Sequence, residues 1–130
     1  MQLSRTVTVG VKGIQDTFEC VSDASHTYDW AFHAPGKLTT SVDVKAGLPR
    51  LGETNGYQHI EELRSGNATG EWWARWEADG ASLTLRFDAA ESTELFTGAG
   101  PGKNPADRIP MVIVRRRGTR ATFKVRHEFA

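Results

Sequence analysis

The sequence predicts an all-β protein, an antiparallel β-sandwich of the jelly-roll type in a single domain that covers residues 1–130. Three observations support this fold class. Apolar and polar residues alternate with a period of two along most of the chain, turn-forming residues separate the alternating runs, and a 3.6-residue periodicity is nearly absent. We therefore expect about eight to ten short strands, which is the pattern of sandwiches and barrels.

Four runs in the N-terminal third alternate in this way, and each is predicted to be a strand. On an extended chain, every second side chain points to the same face. The apolar residues that share a face are, run by run, Val7, Val9 and Val11; Phe18 and Cys20; Tyr28, Trp30 and Phe32; and Val42 and Val44.

Two hairpins are predicted further along the chain. Residues 72–77 and 82–88 flank Asp79-Gly80, a pair that suits a tight turn because both turn residues need positive φ. Residues 109–115 and 121–126 flank Arg117-Gly118 and predict a second hairpin. Residues 45–56 and 98–102 are rich in glycine and proline and are predicted to be loops. A short helical turn is expected within residues 57–63.

The composition bounds the partners of the chain. Sixteen basic residues balance sixteen acidic ones among 130 residues, and this neutral total argues against a general nucleic-acid binder. No apolar run reaches the length that spans a membrane. We therefore expect neither nucleic acid nor a membrane as a partner. The single cysteine, Cys20, is expected to be a small buried apolar residue.

Three of the four tryptophans lie in residues 72–76. On a strand, Trp73 and Arg75 share one face and the other two tryptophans share the opposite face. If the latter face is core, a tryptophan is exposed beside an arginine. Aromatic rings suit the apolar faces of sugars, and guanidinium groups bind carboxylate or sulfate by forked hydrogen bonds, so the pair predicts an acidic polysaccharide ligand. The alternative is that Trp73 packs against another domain.

A second candidate surface lies near the C-terminus, where basic residues cluster around the predicted second hairpin. It is either a docking surface for a polyanion or a solvated turn that protects edge strands from aggregation. No nucleophile elbow or phosphate-binding loop occurs, so no catalytic residue is predicted. The candidate carbohydrate-binding residues are Tyr57, Trp73, Arg75, Arg115, Arg117, Lys124 and Arg126.

Residues 25–33, Ser-His-Thr-Tyr-Asp-Trp-Ala-Phe-His, resemble a stretch of the heparinase II/III-type polysaccharide lyases, which include alginate and oligoalginate lyases. Residues 3–7 and 16–18 resemble the paired strands before that stretch, and residues 108–116 and 121–123 are similar to the end of the same lyases. The similarity runs along nearly the whole chain.

These lyases carry an α-helical toroid followed by antiparallel β-domains, and they cleave uronic-acid-containing polysaccharides by β-elimination. The resemblance implies a periplasmic or secreted C-terminal accessory domain that contacts the catalytic domain of a parent lyase and binds or positions an acidic polysaccharide. The alternative is a purely structural domain packed on the toroid. A residual lyase activity would need His26, Tyr28 or Tyr57 as acid or base.

The resemblance also bears on metal binding. His33 matches a histidine that is similar to a structural zinc ligand in several of these enzymes. His26 and His33, seven residues apart on an extended run, do not form a compact metal pair. We expect His26 to lie in a surface loop and His33 at a strand end. No cofactor is expected, and zinc would bind only if segments outside this chain supplied the partner ligands.

Overall fold

The computed structural model describes residues 1–47, 50–88, 93–103 and 107–130, and most of them lie in β-strands. All strand pairs are antiparallel, which confirms the predicted all-β antiparallel fold. A 3-10 helix spans Tyr57–His59, and no helix in the described ranges is long and apolar enough to cross a membrane. The strands are β1 Gln2–Gly10, β2 Gly13–His33, β3 Lys37–Thr40, β4 Lys45–Ala46, β5 Glu61–Ala68, β6 Trp72–Ala78, β7 Ala81–Phe87, β8 Thr93–Pro101 and β9 Arg108–Phe129.

The two longest strands, β2 and β9, pair along nearly their whole length and form the spine of the sheet. On its other edge β9 pairs with β8 near its start and with β7 near its end. The strand order is β3-β6-β7-β9-β8-β5-β4, and β1 pairs with β2. The curled sheet therefore has two halves. The β7 half contains β1, β3, β6, β7 and residues 14–21 and 119–129, and the β8 half contains β4, β5, β8 and residues 26–33 and 108–118.

The predicted second hairpin is wrong, because β9 runs through Arg117-Gly118 without turning back. Both predicted arms pair with β2 instead of with each other. The register with β2 shifts between Val21 and His26, and Gly118, which faces His26, has a φ of 144°. The ribbon bends here, and its inward-facing residues change from even to odd numbers along β9. Strand β9 can bend here because Gly118 tolerates this φ. At the same point β2 has extra residues between Val21 and His26.

The inner faces of the two halves pack against each other and form the main core. The Trp30 ring meets Phe87 edge-on at 5.5 Å, and Phe32 meets Trp76 at 5.3 Å. The indole N–H of Trp76 donates to the backbone oxygen of Pro110 at 2.9 Å. These contacts across the two halves give the molecule its sandwich-like layering, and the predicted buried position of Cys20 is confirmed.

The first predicted hairpin is confirmed as β6 and β7. Asp79 and Gly80 have φ values of 52° and 78°, as a primed turn requires. Leu85 and Phe87 are buried and Leu83 packs against the same core, so this face of β7 points inward as predicted.

Two other local predictions need correction. Gly98 and Gly100, predicted to lie in a loop, are inside β8. A Cβ at Gly98 would lie 2.6 Å from Ile60 Cγ2, so the absence of a side chain lets the residues around Ile60 pack onto the strand. The helical turn expected within residues 57–63 is limited to Tyr57–His59, and β5 follows it. Within the predicted loop 45–56, residues 48–49 lie outside the described residues, and Lys45–Ala46 forms β4.

Candidate functional site

The outer face of the β7 half carries an open groove beside Trp73. Trp72, Ala74 and Trp76 are buried, so the alternation of β6 directs Trp73 and Arg75 outward. This resolves which face of the tryptophan strand is core. The space beside Trp73 has a volume of about 560 Å³, and we call it the Trp73 groove. It is lined by Gln15, Glu71, Trp72, Trp73, Arg86, Phe87, Asp88, Lys124 and Arg126.

The strand register explains why these side chains meet. Trp73 is opposite Arg86, Arg86 is opposite Arg126, and Arg126 is opposite Gln15. The four residues therefore form one row across four neighbouring strands, and we call it the Trp73 row. Lys124 precedes Arg126 by two residues on β9 and so points to the same outer face. The row brings one aromatic ring and two guanidinium groups together on one surface.

A carboxylate holds the two arginines of the row. Glu128 accepts hydrogen bonds from Nε of Arg86 at 2.9 and 3.0 Å and from Nε of Arg126 at 3.0 Å. The hydrogen bonds from Arg86 lower the pKa of Glu128 below its ordinary value. The two guanidinium groups share one carboxylate, so Arg86, Arg126 and Glu128 together carry one net positive charge. In the described part of the chain Lys124 makes no ion pair, and its exposed ammonium adds a second positive charge, while Glu71 and Asp88 place two carboxylates in the same lining.

Arg75 orients Trp73 and does not line the groove. Its guanidinium carbon lies 4.8 Å from the centre of the Trp73 ring, a cation–π contact, and its Nε donates to Thr84 Oγ1 at 3.0 Å. The predicted neighbourhood of Trp73 and Arg75 is therefore present, but the arginine covers part of the ring. The groove is built instead with Arg86, which the sequence-based prediction did not include.

Two lining residues of the groove, Trp72 and Phe87, have their side chains in the core beneath it. Trp72 stacks on Phe87 with ring centres 4.0 Å apart and planes 8° from parallel. Its indole N–H is buried and has no hydrogen-bond partner among the described residues. The stacked pair fixes the backbone that presents Trp73.

The remaining candidate residues, Tyr57, Arg115 and Arg117, lie on the outer face of the β8 half. There Asp29 accepts hydrogen bonds from Arg115 Nε and Nη2 at 2.8 and 2.9 Å and from the Tyr57 hydroxyl at 2.5 Å. Arg117 pairs with Glu94. We call Asp29, Tyr57 and Arg115 the Asp29 cluster. Because the inner faces of the halves pack together, this surface faces away from the Trp73 groove, and the predicted basic residues are divided between two surfaces.

The Asp29 cluster is mostly buried, which limits what it can bind. The side chains of Arg115 and Asp29 are only 15% and 16% exposed. Burial alone would raise the pKa of Asp29, but the hydrogen bonds from Arg115 and Tyr57 outweigh it and lower that pKa. Burial and the hydrogen bond to Asp29 raise the pKa of Tyr57 to about 12. The arginine is already satisfied by its carboxylate, so the cluster ties the segment around Tyr57 to the sheet.

The three residues considered for a lyase-type acid–base pair do not form one site. Tyr28 is buried on the inner face of β2, and its hydroxyl donates to the backbone oxygen of Thr119 at 3.4 Å. The Tyr57 hydroxyl donates to Asp29, whose side chain is on the other face of β2 from Tyr28. Tyr57 stays protonated at neutral pH. His26 is exposed and lies within β2, not in the predicted surface loop.

His33 is exposed at the end of β2. Over residues 1–47, 50–88, 93–103 and 107–130, no group of three or more His, Cys, Asp and Glu side chains is placed to hold a metal ion. The position at a strand end is as predicted, and zinc binding through ligands from outside this chain stays a prediction.

Two of the segments for which a resemblance to the lyases is predicted, residues 25–33 and 108–116, are neighbours in the sheet. Tyr28 is opposite Arg116, Asp29 is opposite Arg115, and Trp30 is opposite Val114. No protein-family model matches the chain, and no curated protein matches it significantly.

Proposed function

We propose that this chain is a non-catalytic accessory β-domain of a heparinase II/III-type polysaccharide lyase and that its Trp73 groove binds an acidic, uronic-acid-containing polysaccharide. The observation that carries the proposal is the Trp73 row, in which one aromatic ring and two arginines lie side by side on an exposed sheet surface. The proposal places the parent enzyme in the periplasm or outside the cell.

The row suits a sugar chain that lies across the strands. Neighbouring strands are about 4.8 Å apart, so Trp73 on β6 and Arg126 on β9 are separated by about 10 Å. A pyranose ring stacked on the indole would place the carboxylates of neighbouring sugars near the guanidinium groups. Lys124 adds a mobile cation beside the same path.

The surroundings of Trp73 favour a polar ligand over a packed protein domain. A docking surface for a catalytic domain would present a flat apolar patch, and its core would be poor in charge. Trp73 instead shares the groove with charged side chains of both signs, the cations of Arg86, Lys124 and Arg126 and the carboxylates of Glu71 and Asp88. Burying these cations against a protein without matching anions would cost free energy.

The proposal is tested by calorimetry and affinity electrophoresis with alginate, heparin and chondroitin sulfate, with a neutral glucan as the control ligand. We expect binding to at least one acidic polysaccharide, none to the neutral glucan, and weaker binding at high salt. Trp73→Ala should weaken binding roughly tenfold or more, since it removes the stacking surface. Lys124→Ala should weaken binding and reduce its dependence on salt.

Arg117→Ala is the matched control, because it removes an exposed cation from the opposite surface. It should leave the affinity unchanged. A folded wild-type protein that binds none of the acidic polysaccharides would refute the proposal. An effect of Arg117→Ala as large as that of Lys124→Ala would show that binding depends on total charge and not on the groove.

A further inference from the structure

Strand β1 leaves one edge of the sheet open. It pairs with β2 from Gln2 opposite Val21 to Gly10 opposite Gly13 without any register shift, and no other strand in the described ranges pairs with it. All nine of its residues are exposed. The open edge is about 30 Å long and presents backbone N–H and C=O groups to solvent.

The inner face of β1 is uncovered and, apart from Arg5, apolar. Leu3, Val7 and Val9 are 55%, 52% and 76% exposed. They lie opposite Cys20, Asp16 and Ile14 of β2, so they belong to the same face of the sheet as the core. The β8 half covers this face over β6, β7 and β9 but does not extend to β1.

The edge has only one of the features that normally prevent pairing with another chain. Natural edge strands are protected by lysine, proline, a bulge, short length or an inward-pointing charge, and only the last is present, at Arg5. Strand β1 is long and regular and contains neither lysine nor proline. Its one charged side chain, Arg5, donates to both carboxylate oxygens of Asp16 at 2.9 and 2.6 Å, and Asp16 is 1% exposed. The edge is therefore electrostatically neutral.

We propose that β1 is a homodimer interface, at which β1 of a second copy of this chain pairs antiparallel with it and joins the two sheets. The occupant is a second copy because the strand is complementary to itself. With the two-fold axis at Thr6, all nine residues pair, and Leu3 lies opposite Val9 of the partner subunit. This contact is isologous and closes with two copies.

The charge of Arg5 favours the register with the two-fold axis at Thr6 over the register with the axis at Arg5. With the axis at Thr6, Arg5 lies opposite Val7 of the partner subunit, and its aliphatic stem covers that valine. With the axis at Arg5, two arginines would lie directly opposite each other, which is unfavourable. On the outer face the axis at Thr6 pairs hydroxyl side chains, Thr6 with the partner's Thr6 and Ser4 with the partner's Thr8. The interface is thus apolar on one face and hydrogen-bonding on the other.

Sedimentation velocity and light scattering over a wide concentration range test the association. We expect the wild-type chain to form a dimer that dissociates on dilution. Val7→Lys should make it monomeric at all concentrations, because it adds a charge to the middle of the apolar face. Val21→Lys makes the same change on the outer face of β2, away from the open edge, and should leave the dimer intact. Circular dichroism checks that both variants fold.

Thr6→Cys tests the register. The two introduced thiols would face each other across the axis, so mild oxidation should give a disulfide-linked dimer. Thr8→Cys is the matched control, since its counterpart in the partner is a serine, and it should cross-link much less. A wild-type chain that stays monomeric would overturn the proposal, as would a Val7→Lys dimer as stable as the wild type. A dimer in which Thr8→Cys cross-links as well as Thr6→Cys would overturn the register.

Discussion

The Asp29 cluster predicts a large loss of stability for a nearly isosteric substitution, Asp29→Asn. The carboxylate accepts two hydrogen bonds from Arg115 and one from Tyr57. The asparagine keeps one acceptor oxygen but loses the negative charge. Arg115, only 15% exposed, would then be held in the sheet without its counter-charge.

The magnitude follows from how much of the pair is buried. An exposed ion pair contributes about 0–1 kcal/mol, and breaking a fully buried one costs about 3–5 kcal/mol. The two side chains are roughly five-sixths buried, and asparagine preserves part of the hydrogen bonding. We therefore expect the free energy of unfolding to fall by about 2–3 kcal/mol and Tm by roughly 10 °C. Urea unfolding followed by tryptophan fluorescence measures the first quantity.

The matched control is Glu94→Gln. It breaks the ion pair with Arg117, whose side chain is 60% exposed, so it should cost less than about 1 kcal/mol. The reasoning would be refuted if Asp29→Asn unfolded at the same urea concentration as wild type, or if the two variants lost equal stability.

The loss of stability caused by Asp29→Asn should depend on pH. The pKa of Asp29 is lowered in the folded protein, so its contribution is fully present above the unfolded pKa of about 3.9 and is lost as the pH falls through the folded pKa. The difference in stability between wild type and Asp29→Asn should therefore be greatest near neutral pH and shrink in acid. An equal difference at all pH values would show that packing, not charge, is responsible.

Three further outcomes are expected. Trp76→Phe should cost about 1–2 kcal/mol more than Trp72→Phe in urea unfolding, because only the Trp76 indole N–H has a partner in the described structure. Gly98→Ala should destabilise by about 1–3 kcal/mol, since its Cβ would overlap a neighbouring side chain, while Gly70→Ala, with open space around it, should be neutral in the same assay. Absorbance titration should show a phenolate transition near pH 12 that Tyr57→Phe removes, and the stability that Tyr57 contributes should be lost as the pH rises from about 10 through that value.

Local sequence signals were sufficient to predict the β6–β7 hairpin and could have predicted part of the groove. The Asp79-Gly80 turn fixes the register of the two strands, and that register places Arg86 opposite Trp73. The sequence therefore contained the signal for Arg86, although the prediction named Arg75 as the neighbour of Trp73. Lys124 is predicted as a candidate from its charge, but its place beside Trp73, like that of Gln15, could not be predicted in this way, because it depends on pairings between strands that are distant in sequence.

Two of the wrong predictions share a physical cause. The glycines of Arg117-Gly118 and at Gly98 predict a turn and a loop, yet both lie inside strands. Gly118 permits a bend, and Gly98 leaves room for Ile60. The conformational freedom of glycine and its small volume are different properties, and local composition does not reveal which one a fold uses.

The bend at Gly118 has a functional consequence, because it determines which cations can act together. A hairpin at this point would have placed Arg115 on the same face of one two-stranded ribbon as Lys124 and Arg126. In the continuous strand, the bend directs a first pair, Arg115 and Arg117, to the outer face of the β8 half and a second pair, Lys124 and Arg126, to the outer face of the β7 half. The first pair is neutralised by Asp29 and Glu94. In the second pair, Arg126 shares the carboxylate of Glu128 with Arg86, and Lys124 makes no ion pair in the described part of the chain. A polyanion that binds this chain should therefore distinguish the two surfaces, although both contain the same number of these predicted cations.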